Sequence, residues 1–114
     1  MQFQVSVNQN PLATSERERI IANPPFGSHF PDPQVVLTWE KDKGWHSAQV
    51  IPYGPIMMDP SSAVLHYGQE IFEGIKAYRH EDGSIWTFRP DMNAARLQRS
   101  AKRMALPELP AELF

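Results

Sequence analysis

The sequence predicts an α+β domain: a small antiparallel sheet with one main helix packed across it. Two pairs of apolar runs carry the sheet, QVVLTW and WHSAQVIPY around KDKG, then IFEGIKAYR and SIWTFR around HEDG. One long segment, Met92 to Ala105, repeats small and apolar residues at helical spacing and carries the helix. A chain of 114 residues is enough for a single modest core.

Taken in order, Phe3, Val5 and Val7 alternate with polar neighbours and suit an edge strand. Thr14 or Ser15 is placed to cap a short helix through ERERIIA, which Asn23, Pro24 and Pro25 stop. Residues 1–23 therefore read as an extension with a short helix, and 24–114 as the domain. Pro24 to Pro33 must be loop. Gln34–Trp39 and Trp45–Tyr53 form a predicted hairpin, and Pro52 suggests that its return strand frays or lies at an edge. SSAVLH has the length of one helical turn. Ile71–Arg79 and Ser84–Arg89 form a second predicted hairpin, with Gly83 at the left-handed position of its loop. The helix follows, with Asp91 or Asn93 as cap and Pro107 after its end. Ala94, Leu97, Ala101, Met104 and Ala105 fall on its core face, and Arg99, Lys102 and Arg103 on the other. PAELF at 110–114 has the composition of a further helix start.

Composition excludes several classes. A formal charge of −2 gives no global reason to bind nucleic acid or an anionic membrane. The absence of cysteine removes disulfides and thiolate metal sites and fits a reducing, cytoplasmic setting. His29, His46, His66 and His80 lack metal-ligand spacing, so no metal is expected. No run approaches the ~20 apolar residues of a membrane span. The start carries no signal-peptide pattern, which suits a true N-terminus at Met1, whereas Phe114 falls where a helix is only beginning. Eleven prolines are about twice the usual ~5% share, which points to many loops and turns.

The candidate site residues each have a plain structural alternative. Tyr67, Phe72 and Phe26 suit a core, but Phe26 sits in a proline-flanked loop and Tyr67 lies between His66 and Gly68. Gly74, inside a strand pattern, marks a place where a ligand or another backbone comes close. Arg96 lies between the core face and the basic face of the helix. It is either a solvated arginine or an anion clamp, because its planar fork matches phosphate oxygens. Lys76 is read as a solvent-facing strand lysine. The basic helix face lacks the interleaved aromatics that single-stranded nucleic acid would need.

LHYGQEIFEGIKAYR, followed by FRPDMNAARLQRSAKRMALP, resembles the N-terminal domain of the branched-chain amino acid aminotransferases. Upstream, PPFGSHF, VVLTWEKDKGW and PYGPIMMDPSSAVLHYG fit as well, so the resemblance covers Pro24 to Pro107. It implies the small N-terminal domain of the fold-type IV (D-amino acid aminotransferase-like) fold, pyridoxal 5'-phosphate as cofactor, and a homodimer. It also implies reversible amino transfer from leucine, isoleucine or valine to 2-oxoglutarate. By position, Arg96 would hold the cofactor phosphate, and Phe26, Tyr67 and Phe72 would line the substrate pocket. Gly74 would let the ligand approach the backbone. The Tyr67 hydroxyl would also serve glutamate, whose carboxylate must occupy the same pocket. The family's Schiff-base lysine lies in a following domain, so none of Lys41, Lys43, Lys76 and Lys102 takes that role and the 114-residue chain alone is expected to be inactive. The alternatives are a D-amino acid aminotransferase or an aminodeoxychorismate lyase within the same fold, or a non-catalytic binding or assembly domain.

Overall fold

In the computed structural model, which describes residues 1–114, Gln4–Val5 (β1), Pro33–Glu40 (β2) and Gly44–Pro52 (β3) form a three-stranded sheet in the order β1-β3-β2. The α+β class stands, but the sheet is mixed, because β1 runs parallel to β3 while β2 pairs with β3 antiparallel. The return strand β3 is thus the central strand. Pro52 is accommodated because it is the last residue of β3, beyond the part that pairs with β1.

Within the β2–β3 hairpin, Trp39 faces Trp45 and Glu40 faces Gly44, whose positive φ of 68° closes the KDKG turn. Lys43 Nζ sits 2.6 Å from Glu40 Oε2 across that turn. The register then slips. Val36 pairs with Gln49 and Thr38 with His46, so β3 carries one extra residue, and Ser47 takes up the bulge at φ 52°. Ala48, next to the bulge, is the one buried residue of this sheet.

The helix Thr14–Ala22 (α1) begins a little earlier than expected. Its N-cap is Ala13 rather than Thr14 or Ser15, and Asn23 ends it. The loop after it is tied back by Leu12 N–H donating to Asp32 Oδ1 at 3.2 Å and by Phe30 stacked on Tyr53 at 5.1 Å. These elements make up a unit from Met1 to Met57, and Met58–Phe114 forms a second one.

The second unit opens with a five-residue helix, Ala63–Tyr67 (α2), closed by Gly68 in the left-handed conformation. Ala77–Arg79 (β4) and Ile85–Thr87 (β5) form an antiparallel hairpin. It is shorter than the apolar pattern suggested: residues 68–76 make no strand ladder, so Ile71–Lys76 is irregular backbone. The HEDG loop closes as expected, with Gly83 at φ 83° and Asp82 Oδ1 accepting from the Ser84 N–H and hydroxyl.

Pro90–Arg103 (α3) is the longest helix. Neither Asp91 nor Asn93 caps it. Arg89 is the N-cap, and Pro90, whose φ is already helical, supplies the first turn. Ala94 and Ala101 are buried and Leu97 half-buried, whereas Met104 and Ala105 lie outside the helix and are exposed. The backbone after the helix turns back along it, with Gln98 Nε2 donating to the Leu109 carbonyl at 2.9 Å. PAELF forms a 3-10 turn, Ala111–Leu113, and that turn is the main element contact of α3 in place of the expected sheet. No helix is long and apolar enough to cross a membrane.

Candidate functional site

The irregular stretch from Gly68 to Lys76 has no strand partner to satisfy its backbone, so side chains tie it to α3. Gln69 Nε2 donates to the Met104 carbonyl at 2.9 Å. Asn93 Nδ2 donates to Glu73 Oε2 at 2.8 Å and to the Gly74 carbonyl at 3.1 Å. Arg96 completes the arrangement. Its Nε donates to Glu73 Oε1, and its Nη2 donates to Glu73 Oε2 at 2.8 Å, so the side edge of the fork grips the carboxylate with two bonds.

The two partners of this pair are buried very differently. The Glu73 side chain is 5% exposed and that of Arg96 59%. The Arg96 and Asn93 hydrogen bonds pull the Glu73 carboxyl down to about 2, and the same contact raises Arg96 above its ordinary value. Glu73 is therefore ionised throughout the physiological range. The Arg96 Nη1 group makes no hydrogen bond, and it remains available on the exposed side.

Arg96 and Phe72 border one cavity of about 430 Å³, with Arg99, Ser100 and Arg103 along the helix and Ile71 and Met104 as apolar walls. Three arginines at i, i+3 and i+7 give this cavity a positive wall. Phe72 itself is 87% exposed. Gly74 lies beside Asn93 on a second cavity of about 310 Å³ that also touches Lys76, Tyr78 and Phe88. A Cβ built at Gly74 would meet nothing within 4 Å, so there is room for a ligand next to that backbone.

Tyr67 ends α2 at 85% exposure, its ring and that of His66 inclined at 61° with centroids 6.4 Å apart. His66 in turn lies 2.6 Å from the Pro60 carbonyl through Nε2. Gly68 next to it, at φ 57°, supplies the left-handed conformation that ends the helix. Phe26 is fully exposed at the tip of the turn 26–28, in the first unit. The structure thus brings Phe72, Gly74 and Arg96 into one connected neighbourhood. Glu73 and Asn93 belong to it too, although the sequence gives Glu73 no visible role and offers Asn93 only as an alternative to Asp91 as helix cap. The available signal was an acid next to glycine in the run IFEGI, ahead of a basic helix.

No family model matches the chain. It is 61% identical over all of its 114 residues to the branched-chain-amino-acid aminotransferase of Mycolicibacterium smegmatis. It is 51% identical over 112 residues to a probable branched-chain-amino-acid aminotransferase of Streptomyces coelicolor. Over its whole length the chain is similar to branched-chain aminotransferases. A further relative, branched-chain-amino-acid transaminase 1 of Bacillus subtilis, is 51% identical over 88 residues, or 77% of the chain. The chain spans about a third of these proteins' length: 31% of the first two and 25% of the third. Arg96, Phe72, Tyr67, Gly74 and Phe26 all lie within the residues that the similarity covers.

Proposed function

We propose that this chain is the N-terminal part of a pyridoxal 5'-phosphate-dependent branched-chain aminotransferase of fold-type IV. The complete protein would transfer the amino group of leucine, isoleucine or valine reversibly to 2-oxoglutarate, as a cytoplasmic homodimer. Similarity over the whole chain to proteins named for that activity carries this reading. The geometry supports it: an oriented guanidinium borders a positive cavity with an exposed aromatic ring on its wall.

The residues present fit the cofactor's phosphate. Arg96 keeps its Nη1 donors free on an exposed face, and Arg99 and Arg103 add positive charge along the same cavity. When bound, pyridoxal phosphate supplies the electron sink for amino transfer. The part of this chain is to hold and select. Arg96 binds the phosphate oxygens. Phe26, Tyr67 and Phe72 offer large rings to a substrate side chain without polar groups, for which each methylene contributes only ~1–3 kcal/mol of discrimination. Gly74 leaves space beside its backbone. The exposed apolar side chains form surface that the rest of a protein of the relatives' length would cover.

The test is made on the full-length protein. Incubation with pyridoxal 5'-phosphate should produce the visible absorbance of bound cofactor, and leucine should then be consumed in proportion to the glutamate formed from 2-oxoglutarate. A protein that neither binds the cofactor nor turns over leucine would instead be a non-catalytic binding domain.

A further inference from the structure

Resting on the assignment of Arg96 to the cofactor phosphate, we propose that Glu73 is a positioning residue, whose carboxylate holds the Arg96 guanidinium so that its outer edge faces an incoming anion. Donor geometry is the first reason. A guanidinium has five N–H groups in a fixed plane. Glu73 takes the Nε–H and one N–H of Nη2, which fixes both the plane and its rotation. Three N–H groups remain on the opposite edge, in the arrangement that receives two phosphate oxygens.

The asymmetry of burial is the second reason. An ordinary surface ion pair leaves both ends in water, and a buried structural pair hides both. Here the carboxylate is sequestered and the arginine is turned outward. Glu73 is itself anchored, since Asn93 Nδ2 binds both its Oε2 and the neighbouring Gly74 carbonyl. Arg96 is therefore held before any ligand arrives, and less side-chain freedom is lost on binding. The carboxylate offsets much of the charge of Arg96. Arg99 and Arg103, which line the same cavity, keep its field positive.

A tie that merely fastens residues 68–76 to α3 would produce the same hydrogen bonds, so the test needs a readout that such a tie would not move. In the full-length protein, affinities for pyridoxal 5'-phosphate and for pyridoxal, which lacks the phosphate, are titrated by fluorescence. Their ratio measures recognition of the phosphate alone. Glu73→Ala should lower this ratio by about tenfold or more, the scale of one hydrogen bond to a charged group. Glu73→Gln, which keeps an acceptor and is the milder change for folding, should lower it less. In an Arg96→Ala background, Glu73→Ala should change the ratio no further. A normal ratio in both Glu73 variants, alongside a lost ratio in Arg96→Ala, would overturn the proposal and leave Glu73 as a structural tie. If Arg96→Ala itself keeps the wild-type ratio, the assignment of Arg96 to the phosphate fails, and the proposal fails with it.

Discussion

At the scale of single residues, the Glu73–Arg96 pair links stability to pH in a definite direction. A carboxyl that is lowered in the folded state stabilises the fold above its unfolded value and loses that contribution as pH falls through the folded value. For Glu73 the window runs from the ordinary 4.5 down to about 2. Carbon NMR of the Glu73 carboxyl should show titration near the bottom of this window. Glu73→Gln should flatten the acid limb of the stability curve within it and leave neutral pH behaviour unchanged in slope. Tyr67 makes a different prediction. If its hydroxyl meets the glutamate side-chain carboxylate, Tyr67→Phe in the full-length protein should lower kcat/KM for glutamate roughly tenfold more than for leucine, the scale of one hydrogen bond to a charged group. Equal losses would mean that the ring serves both substrates and the hydroxyl neither. The sequence displayed Arg96, Tyr67 and Phe72 as candidates because their chemical type is visible in the letters. Glu73 was hidden, because a lone glutamate in an apolar run has meaning only once its partner is known.

Among the elements, α3 shows how local rules set the boundaries of structure. Its end is a Schellman motif: Leu106 N–H bonds to the Ala101 carbonyl at 2.9 Å and Ala105 N–H to that of Lys102 at 3.3 Å. The motif places Ala105 at φ 54°, a position that normally takes glycine. Ala105→Gly should therefore stabilise the domain by about 1 kcal/mol, read as a rise in the denaturation midpoint. A fall would show that the Ala105 methyl makes compensating contacts. Opposite changes are expected on the covered face, where Ala101→Leu should destabilise by about 1–3 kcal/mol because an alanine-sized space has no room for a larger chain. The helix and both turns were legible, since proline, glycine and helical spacing act locally. Hairpin length was not. Ile71–Lys76 has strand composition, yet the hydrogen bonds from Asn93 and Arg96 hold Glu73 and Gly74 in a different conformation.

For the molecule as a whole, the fully buried apolar residues are three alanines, Ala48, Ala94 and Ala101, and no large side chain is fully buried. Phe26, Phe72, Phe88, Tyr67 and Met57 all stand mostly in solvent. Burial of large side chains is the main source of folding free energy, at about 1.5–3 kcal/mol each. The 114-residue chain on its own should therefore bind a hydrophobic dye such as ANS and unfold over a broad transition, or self-associate as concentration rises. A monomer with a sharp transition and no dye binding would contradict this. By itself the sequence showed the similarity to branched-chain aminotransferases, the α+β class, the turns at KDKG and HEDG, and Arg96 as a candidate for anion binding, because these depend on local conformational preference and on side-chain chemistry. Only the tertiary structure decided that β1 joins β3 in parallel, that the 68–76 stretch leaves the ladder, and that Glu73 pairs with Arg96. Those outcomes depend on pairings between residues far apart in the chain, and no local pattern of residues fixes which distant partner wins.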